Sequence, residues 1–148
     1  MTRIGLILSA VLLGCHNTVA VPTEISGTWG GENAGLIVTD TSAHVHIGCT
    51  LGDTKGIIHP DASGNFTIDG TYNVDAFPID RGITHPARFT GSVSGNSLTL
   101  TVSLLDTART LGPVTLTYGK EPKMGPCPIC RKPQRTTLKL NIGEPRAL

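Results

Sequence analysis

The chain has few aromatic residues and lacks the sequence patterns of the common enzyme classes. Three Phe, two Tyr and one Trp occur among its 148 residues. Most of them are needed for a core, so no stacking platform is left for sugars or bases, and we expect no nucleic-acid binding. There is no G-x-S-x-G elbow, no H-E-x-x-H, no phosphate-cradling glycine loop and no informative acid pair. We therefore expect a non-enzymatic protein without a cofactor.

The N-terminus has the proportions of an export signal. Arg3 precedes the apolar run 4–13, which is too short to span a bilayer as a mature helix and matches a secretory signal core. The residues Leu12-Leu13-Gly14-Cys15 that follow resemble the lipobox of bacterial lipoproteins.

The lipobox resemblance implies a location at the cell envelope. It implies a signal peptide over 1–14, acylation of Cys15 as the mature N-terminus, a tether over 15–24 and attachment to the membrane by lipid. Ordinary cleavage after Ala20 is the alternative and predicts a soluble periplasmic or secreted protein.

Residues 25–118 alternate between strands and turns, without a helical apolar pattern longer than two turns. Strict alternation over 98–104 predicts a half-buried strand, and Gly95-Asn96 before it predicts a hairpin turn. We also predict strands at 57–58 and at 45–49, where Val45, Ile47 and Cys49 share a face. The sequence predicts one all-β domain, a small antiparallel barrel of seven to eight strands, with a sandwich as the alternative.

Charge divides the chain into two parts. Residues 16–118 contain four cations and nine carboxylates, whereas residues 119–148 contain seven cations and two carboxylates. The second part is a Pro-rich basic tail, within which 137–142 alternate like an edge strand. Two interpretations of this tail remain: it contacts an anionic surface, or it is simply solvated.

Three further cysteines lie in the exported part of the chain. In an oxidising compartment, Cys49, Cys127 and Cys130 make one disulfide and leave one cysteine over. A bridge from Cys49 to Cys127 or Cys130 closes a loop of about 80 residues and stabilises the fold by roughly 4 kcal/mol. A local Cys127–Cys130 bridge with redox character is the alternative.

Two clusters of histidine and arginine are candidate sites. His44 and His46 lie on one strand face about 6 to 7 Å apart, which suits two ligands of one metal ion, with His59, His85 or a carboxylate as the third. They are otherwise solvent-facing neighbours. His85 with Arg88 has the chemistry to hold a carboxylate or phosphate, or it forms a structural pair that helps to close the barrel.

The start of the predicted domain, Gly27-Thr28-Trp29-Gly30-Gly31, resembles lipocalin-like barrels, in which the Trp plugs one end. This resemblance implies an arginine over Trp29, with Arg88 and Arg109 as candidates. The chain also resembles small exported bacterial proteins without a known role, in that start, in Cys49, in 85–91, in 98–102 and in a late cysteine. That resemblance implies export and a disulfide from Cys49 to the C-terminal region, but no activity.

These observations give three functional hypotheses. The first is an exported barrel that binds a small apolar ligand or docks an envelope protein, with Trp29, His85 and Arg88 as ligand-binding residues and 73–86 at the mouth. The second is an envelope interaction or inhibitor module that uses 73–86 or the tail. The third is a metal-dependent enzyme built on His44 and His46.

Overall fold

A computed structural model describes residues 20–75 and 80–127 as an all-β fold, which confirms the predicted class. No helix in these two ranges is long and apolar enough to cross a membrane. The eight strands are β1 (Gly27–Gly31), β2 (Ala34–Val38), β3 (Ala43–Ile47), β4 (Thr50–Thr54), β5 (Asn65–Asn73), β6 (His85–Ser94), β7 (Ser97–Leu104) and β8 (Thr110–Tyr118).

The strands form a closed barrel in which each pairs antiparallel with the next. The first and last strands close it through the pairs Trp29↔Tyr118 and Gly30↔Thr117. The barrel is therefore confirmed and the sandwich alternative is wrong. The predicted hairpin at Gly95-Asn96 joins β6 to β7, and Gly95 takes a φ of +56° there, which a side chain would disfavour.

The interior of the barrel is packed with side chains. Tyr72 and Phe89 are fully buried, and Phe66 is nearly so. Each of these rings lies against a glycine of a neighbouring strand: Phe66 against Gly91, Phe89 against Gly70 and Tyr72 against Gly52. Glycines thus make room for the few large rings, which fill the barrel together with the aliphatic residues of β2, β3 and β6–β8.

Two local predictions were wrong. Residues 57–58 form no strand; Ile58 instead lies in the β4–β5 connection, where its carbonyl accepts a hydrogen bond from the Ile25 amide at 2.9 Å, and both side chains are buried. Cys49 lies in the β3–β4 turn rather than on the face of β3. The strand that sequence reasoning missed is β4, because its Gly52 and Asp53 weaken the apolar alternation.

Residues 119–127, which we call the strap, run across the outside of the barrel beside the β1–β2 turn. The Asn33 amide donates to the Lys123 carbonyl at 2.8 Å, and the Lys123 amide donates to the Gly31 carbonyl at 3.1 Å. An exposed Lys123–Glu32 ion pair at 3.2 Å joins the same segments. The first part of the predicted tail is therefore bound to the body that was predicted to end at residue 118.

The strap packs directly over two glycines. Gly30 and Gly35 are register partners on β1 and β2. A Cβ at Gly30 would meet the backbone of Lys120, and one at Gly35 would meet the ring of Pro122. The close approach of the strap therefore depends on the absence of side chains at both positions.

A disulfide between Cys49 and Cys127 fixes the end of the strap, with 5.4 Å between the Cα atoms and a sequence separation of 78. Of the pairings that the sequence left open, the structure forms the one between Cys49 and Cys127. Cys130, the acylation candidate Cys15 and the predicted edge strand 137–142 lie outside the described residues.

Candidate functional site

A cleft of about 340 Å³ lies at the end of the barrel that carries the β6–β7 turn. We call it the Trp29 cleft. The β1 residue Trp29 is only 4% exposed, and its indole Nε1 donates to the Ser26 carbonyl at 2.9 Å. Tyr118, at the end of β8, meets that ring edge-on with 5.0 Å between centroids and is itself half exposed. The barrel seam thus places two of its few aromatic rings beside one opening.

The remaining walls of the Trp29 cleft come from two segments. The chain entering β1 contributes Val21, Pro22 and Glu24, and the β6–β7 turn contributes Asn96. Among the described lining residues, Glu24 carries the single formal charge. The cleft is therefore suited to a neutral or cationic small molecule with an apolar body, and it disfavours an anion.

The predicted ligand-binding residues do not converge. Arg88, on β6, extends from the outer face and donates from Nε to Oδ1 of Asp69 on β5 at 2.8 Å. That hydrogen bond is the main reason why the pKa of the Asp69 carboxyl is lowered. Arg109 lies in the β7–β8 turn, at the other end of the barrel. Neither arginine packs over Trp29, so this expectation from the lipocalin resemblance is wrong.

His85 also has a carboxylate partner. Its Nδ1 lies 2.8 Å from Oδ2 of Asp106 in the β7–β8 turn. Because His85 and Arg88 are each engaged with an acidic side chain of a neighbouring element, the geometry favours structural roles over capture of an anion. The predicted pair that closes the barrel is not found: their partners are Asp106 and Asp69, and the barrel closes between β1 and β8.

A second candidate site lies on the outer face of β3, where His44 and His46 meet. Their Nε2 atoms are 2.9 Å apart, and the rings cross at 73°. Nδ1 of His44 lies 2.7 Å from Oδ1 of Asp53, its register partner on β4. The predicted shared face of the two histidines is therefore present, and Asp53 orients one of them.

Burial and the neighbouring imidazole both favour the neutral form of His46. Desolvation is the larger cause of the lowered pKa of His46, the charge of His44 is the second, and the carboxylate of Asp53 opposes them. A neutral imidazole has a free lone pair on one nitrogen, which is the state that binds metal ions.

The two histidines line a hollow of about 230 Å³ that also contains Gly35, Ile37, Pro122 and Met124. We call it the histidine hollow. The strap supplies Pro122 and Met124, so sequence-distant residues meet the face of β3 here. Sequence reasoning missed Met124, although it is the one methionine besides Met1.

The predicted third ligands lie elsewhere. His59 Nδ1 is 3.2 Å from the Thr23 carbonyl, and His85 is paired with Asp106. Within 20–75 and 80–127, no three His, Cys, Asp or Glu side chains are grouped so as to hold a metal ion. A site at His44 and His46 therefore needs a ligand of another type.

Comparisons with protein-family models, with curated proteins and with solved structures give no match to this chain. The assignment of function therefore rests on the residues and geometry of the two candidate sites.

Proposed function

We propose that the protein is an exported, non-enzymatic binding protein that takes a small apolar ligand in the Trp29 cleft. The observation that carries this proposal is the pairing of Trp29 and Tyr118 beside an opening whose volume lies at the lower end of the range for small-molecule sites. The barrel interior is occupied by its own aromatic rings, so the ligand binds at the end of the barrel instead of within it.

The charge of the cleft narrows the ligand class. Glu24 disfavours carboxylates such as fatty acids, whereas the electron-rich face of a half-exposed tyrosine accepts neutral rings and organic cations. The proposed ligand is a neutral or cationic aromatic molecule, small enough for about 340 Å³.

Fluorescence gives a direct test because the chain has a single tryptophan. The neutral fluorophore N-phenyl-1-naphthylamine should bind saturably, with one molecule per chain, and should quench the emission of Trp29. The anionic analogue anilinonaphthalene sulfonate should bind at least about tenfold more weakly, because it meets the Glu24 carboxylate.

Two matched variants locate the binding. Asn96→Phe fills the cleft from the β6–β7 turn and should weaken binding by about tenfold or more. Thr41→Phe adds the same ring to the β2–β3 turn at the same end of the barrel and should leave binding unchanged. Equal affinity in both variants, or binding without quenching of Trp29, would contradict the proposed site.

Location is a separate part of the proposal. The lipobox resemblance supports a lipid anchor on Cys15, and the Cys49–Cys127 disulfide is compatible with an oxidising compartment. Intact-mass analysis of protein from the membrane fraction should show a diacyl or triacyl group on Cys15. A soluble chain that begins at Val21 would instead favour ordinary cleavage after Ala20.

A second candidate function is docking of an envelope protein at the opposite end of the barrel. Ile83, in the β5–β6 connection, and Leu105, in the β7–β8 turn, are each about half exposed, and the Leu105 amide bonds to the Pro86 carbonyl at 2.8 Å. A photocrosslinker at position 83 in intact cells should give one defined adduct that Leu105→Ser removes. A diffuse set of adducts in both proteins would contradict this candidate.

A further inference from the structure

We propose that the histidine hollow is a copper(I) site whose ligands are His44, His46 and Met124. This site is distinct from the Trp29 cleft, and its existence does not depend on the proposed ligand.

The ligating nitrogens of the two histidines already lie close to the separation that a shared metal ion needs. Two imidazole nitrogens bound tetrahedrally at about 2.0 to 2.1 Å from a metal lie about 3.3 Å apart. The Nε2 atoms of His44 and His46 are 2.9 Å apart in the absence of metal. Two metal bonds can therefore replace their mutual hydrogen bond once the Nε2 atoms separate by a few tenths of an ångström. The proton that His46 carries on Nε2 in that bond leaves for solvent, and the ring is protonated at Nδ1 instead.

The surroundings of His44 prepare it as a ligand. Because a carboxylate oxygen accepts, Nδ1 of His44 is the donor to Asp53, and the neutral ring then has an unprotonated Nε2 that faces Nε2 of His46. A carboxylate behind a histidine fixes the ring orientation and raises the basicity of the ligating nitrogen. Asp53 is thus a positioning residue for the metal.

The third donor selects the metal. Met124 lines the same hollow, and a thioether is a soft ligand that favours Cu(I), whereas imidazole binds several transition metals. A set of two imidazoles and one thioether therefore favours Cu(I) over Zn²⁺. The described residues offer no third His, Cys, Asp or Glu for a harder ion.

The strap makes the third donor available. Met124 lies between Lys123, which is bonded to Gly31 and Asn33, and Cys127, which is joined to Cys49. Both anchors restrain the position of the thioether relative to β3. Release of the strap should therefore affect copper binding in the same direction as removal of the methionine.

The test is a competition for Cu(I) between the protein and bathocuproine disulfonate in ascorbate, with the disulfide shown by mass to be intact. Cys15→Ser and Cys130→Ser are introduced first, since thiolates bind Cu(I) strongly. This protein should take one Cu(I) per chain. His46→Gln should weaken binding about 100-fold, and Met124→Leu about tenfold or more.

Three variants test whether copper binds at the proposed ligands. Met124→Leu should leave the nitrogen-ligated Cu(II) electron paramagnetic resonance spectrum intact, because only the histidines hold Cu(II). Asp53→Ala should weaken Cu(I) binding by about 10- to 100-fold through His44. His59→Gln is the matched histidine control, and its Cu(I) affinity should equal that of the parent.

Circular dichroism should show the same barrel in every variant. Equal Cu(I) affinity in the parent and His46→Gln would overturn the site. Equal Cu(I) affinity in the parent and Met124→Leu, or Zn²⁺ bound as tightly as Cu(I), would overturn the assignment of the thioether.

Discussion

The inside of the barrel and its strap-covered outer face are held together in different ways. The inside is stabilised by many buried rings and aliphatic chains that lie on adjacent strands. The outer face of β1–β3 is covered by nine residues through a few backbone hydrogen bonds, one exposed ion pair and one disulfide. We therefore expect the barrel to be the stable unit, and the strap, which completes the histidine hollow, to open before it.

Removal of an interior ring should have the largest effect on stability. Phe89→Ala leaves a cavity over Gly70 and should lower the free energy of unfolding by about 3–5 kcal/mol. Ile37→Ala is the control, because this β2 side chain is about half exposed, and it should cost less than about 1 kcal/mol. Urea denaturation measures both values, and equal losses would remove the distinction between the two regions.

Loss of the disulfide should rank second. Replacement of Cys49 and Cys127 by serine should lower the free energy of unfolding by about 2–4 kcal/mol, because the unfolded chain regains freedom. Hydrogen exchange should show loss of protection at Asn33 and Lys123, whose amides bind across the strap, while β5–β7 stay protected. Simultaneous loss of protection in β6 would show that the strap is part of the stable unit.

A methyl group beneath the strap should have a smaller effect. Gly35→Ala places a Cβ against Pro122 and should destabilise the protein by about 1–3 kcal/mol. Gly56→Ala is the matched control, since nothing lies within 4 Å of its Cβ position and its φ is not positive. Equal stability of the two variants in thermal unfolding would mean that Gly35 does not seat the strap.

The smallest expected effect is a pH dependence from His46. Its pKa is lowered in the folded state, so the unfolded chain binds the proton more readily. The folded state should therefore have full stability above the unfolded pKa of about 6.5 and lose some as the pH falls through it, until the folded pKa is passed. Unfolding at pH 7.5 and 5 in the parent and in His46→Gln isolates this contribution, which should vanish in the variant.

The sequence predicted strands best where the pattern within a single strand was sufficient. Alternation over 98–104 and the glycine turn before it predict β7 and its hairpin, because side-chain orientation in a strand depends on local period. The same logic placed His44 and His46 on one face. Alternation did not predict β4. Its Gly52 leaves room for the ring of Tyr72 on β5, and this contact between strands leaves no local pattern in the sequence.

The candidate sites depended on contacts between distant parts of the chain. Trp29 was predicted, but its partner Tyr118 follows from the closure of the barrel between β1 and β8. Met124 reaches the histidines because the strap crosses β2, where Gly30 and Gly35 leave room for it and the disulfide holds its end. Glycines within strands indicate that another segment packs closely there, but they do not identify that segment.

The most direct test is to find whether an apolar probe contacts the end of the barrel or its interior. Nuclear magnetic resonance spectra with and without N-phenyl-1-naphthylamine report this residue by residue. We expect shifts at the indole Nε1–H of Trp29 and at the amides of Asn96 and Tyr118, with the interior methyl groups of Val45, Leu100 and Val102 unchanged. Shifts concentrated in those methyl groups would contradict the account, because they would place the ligand inside the barrel.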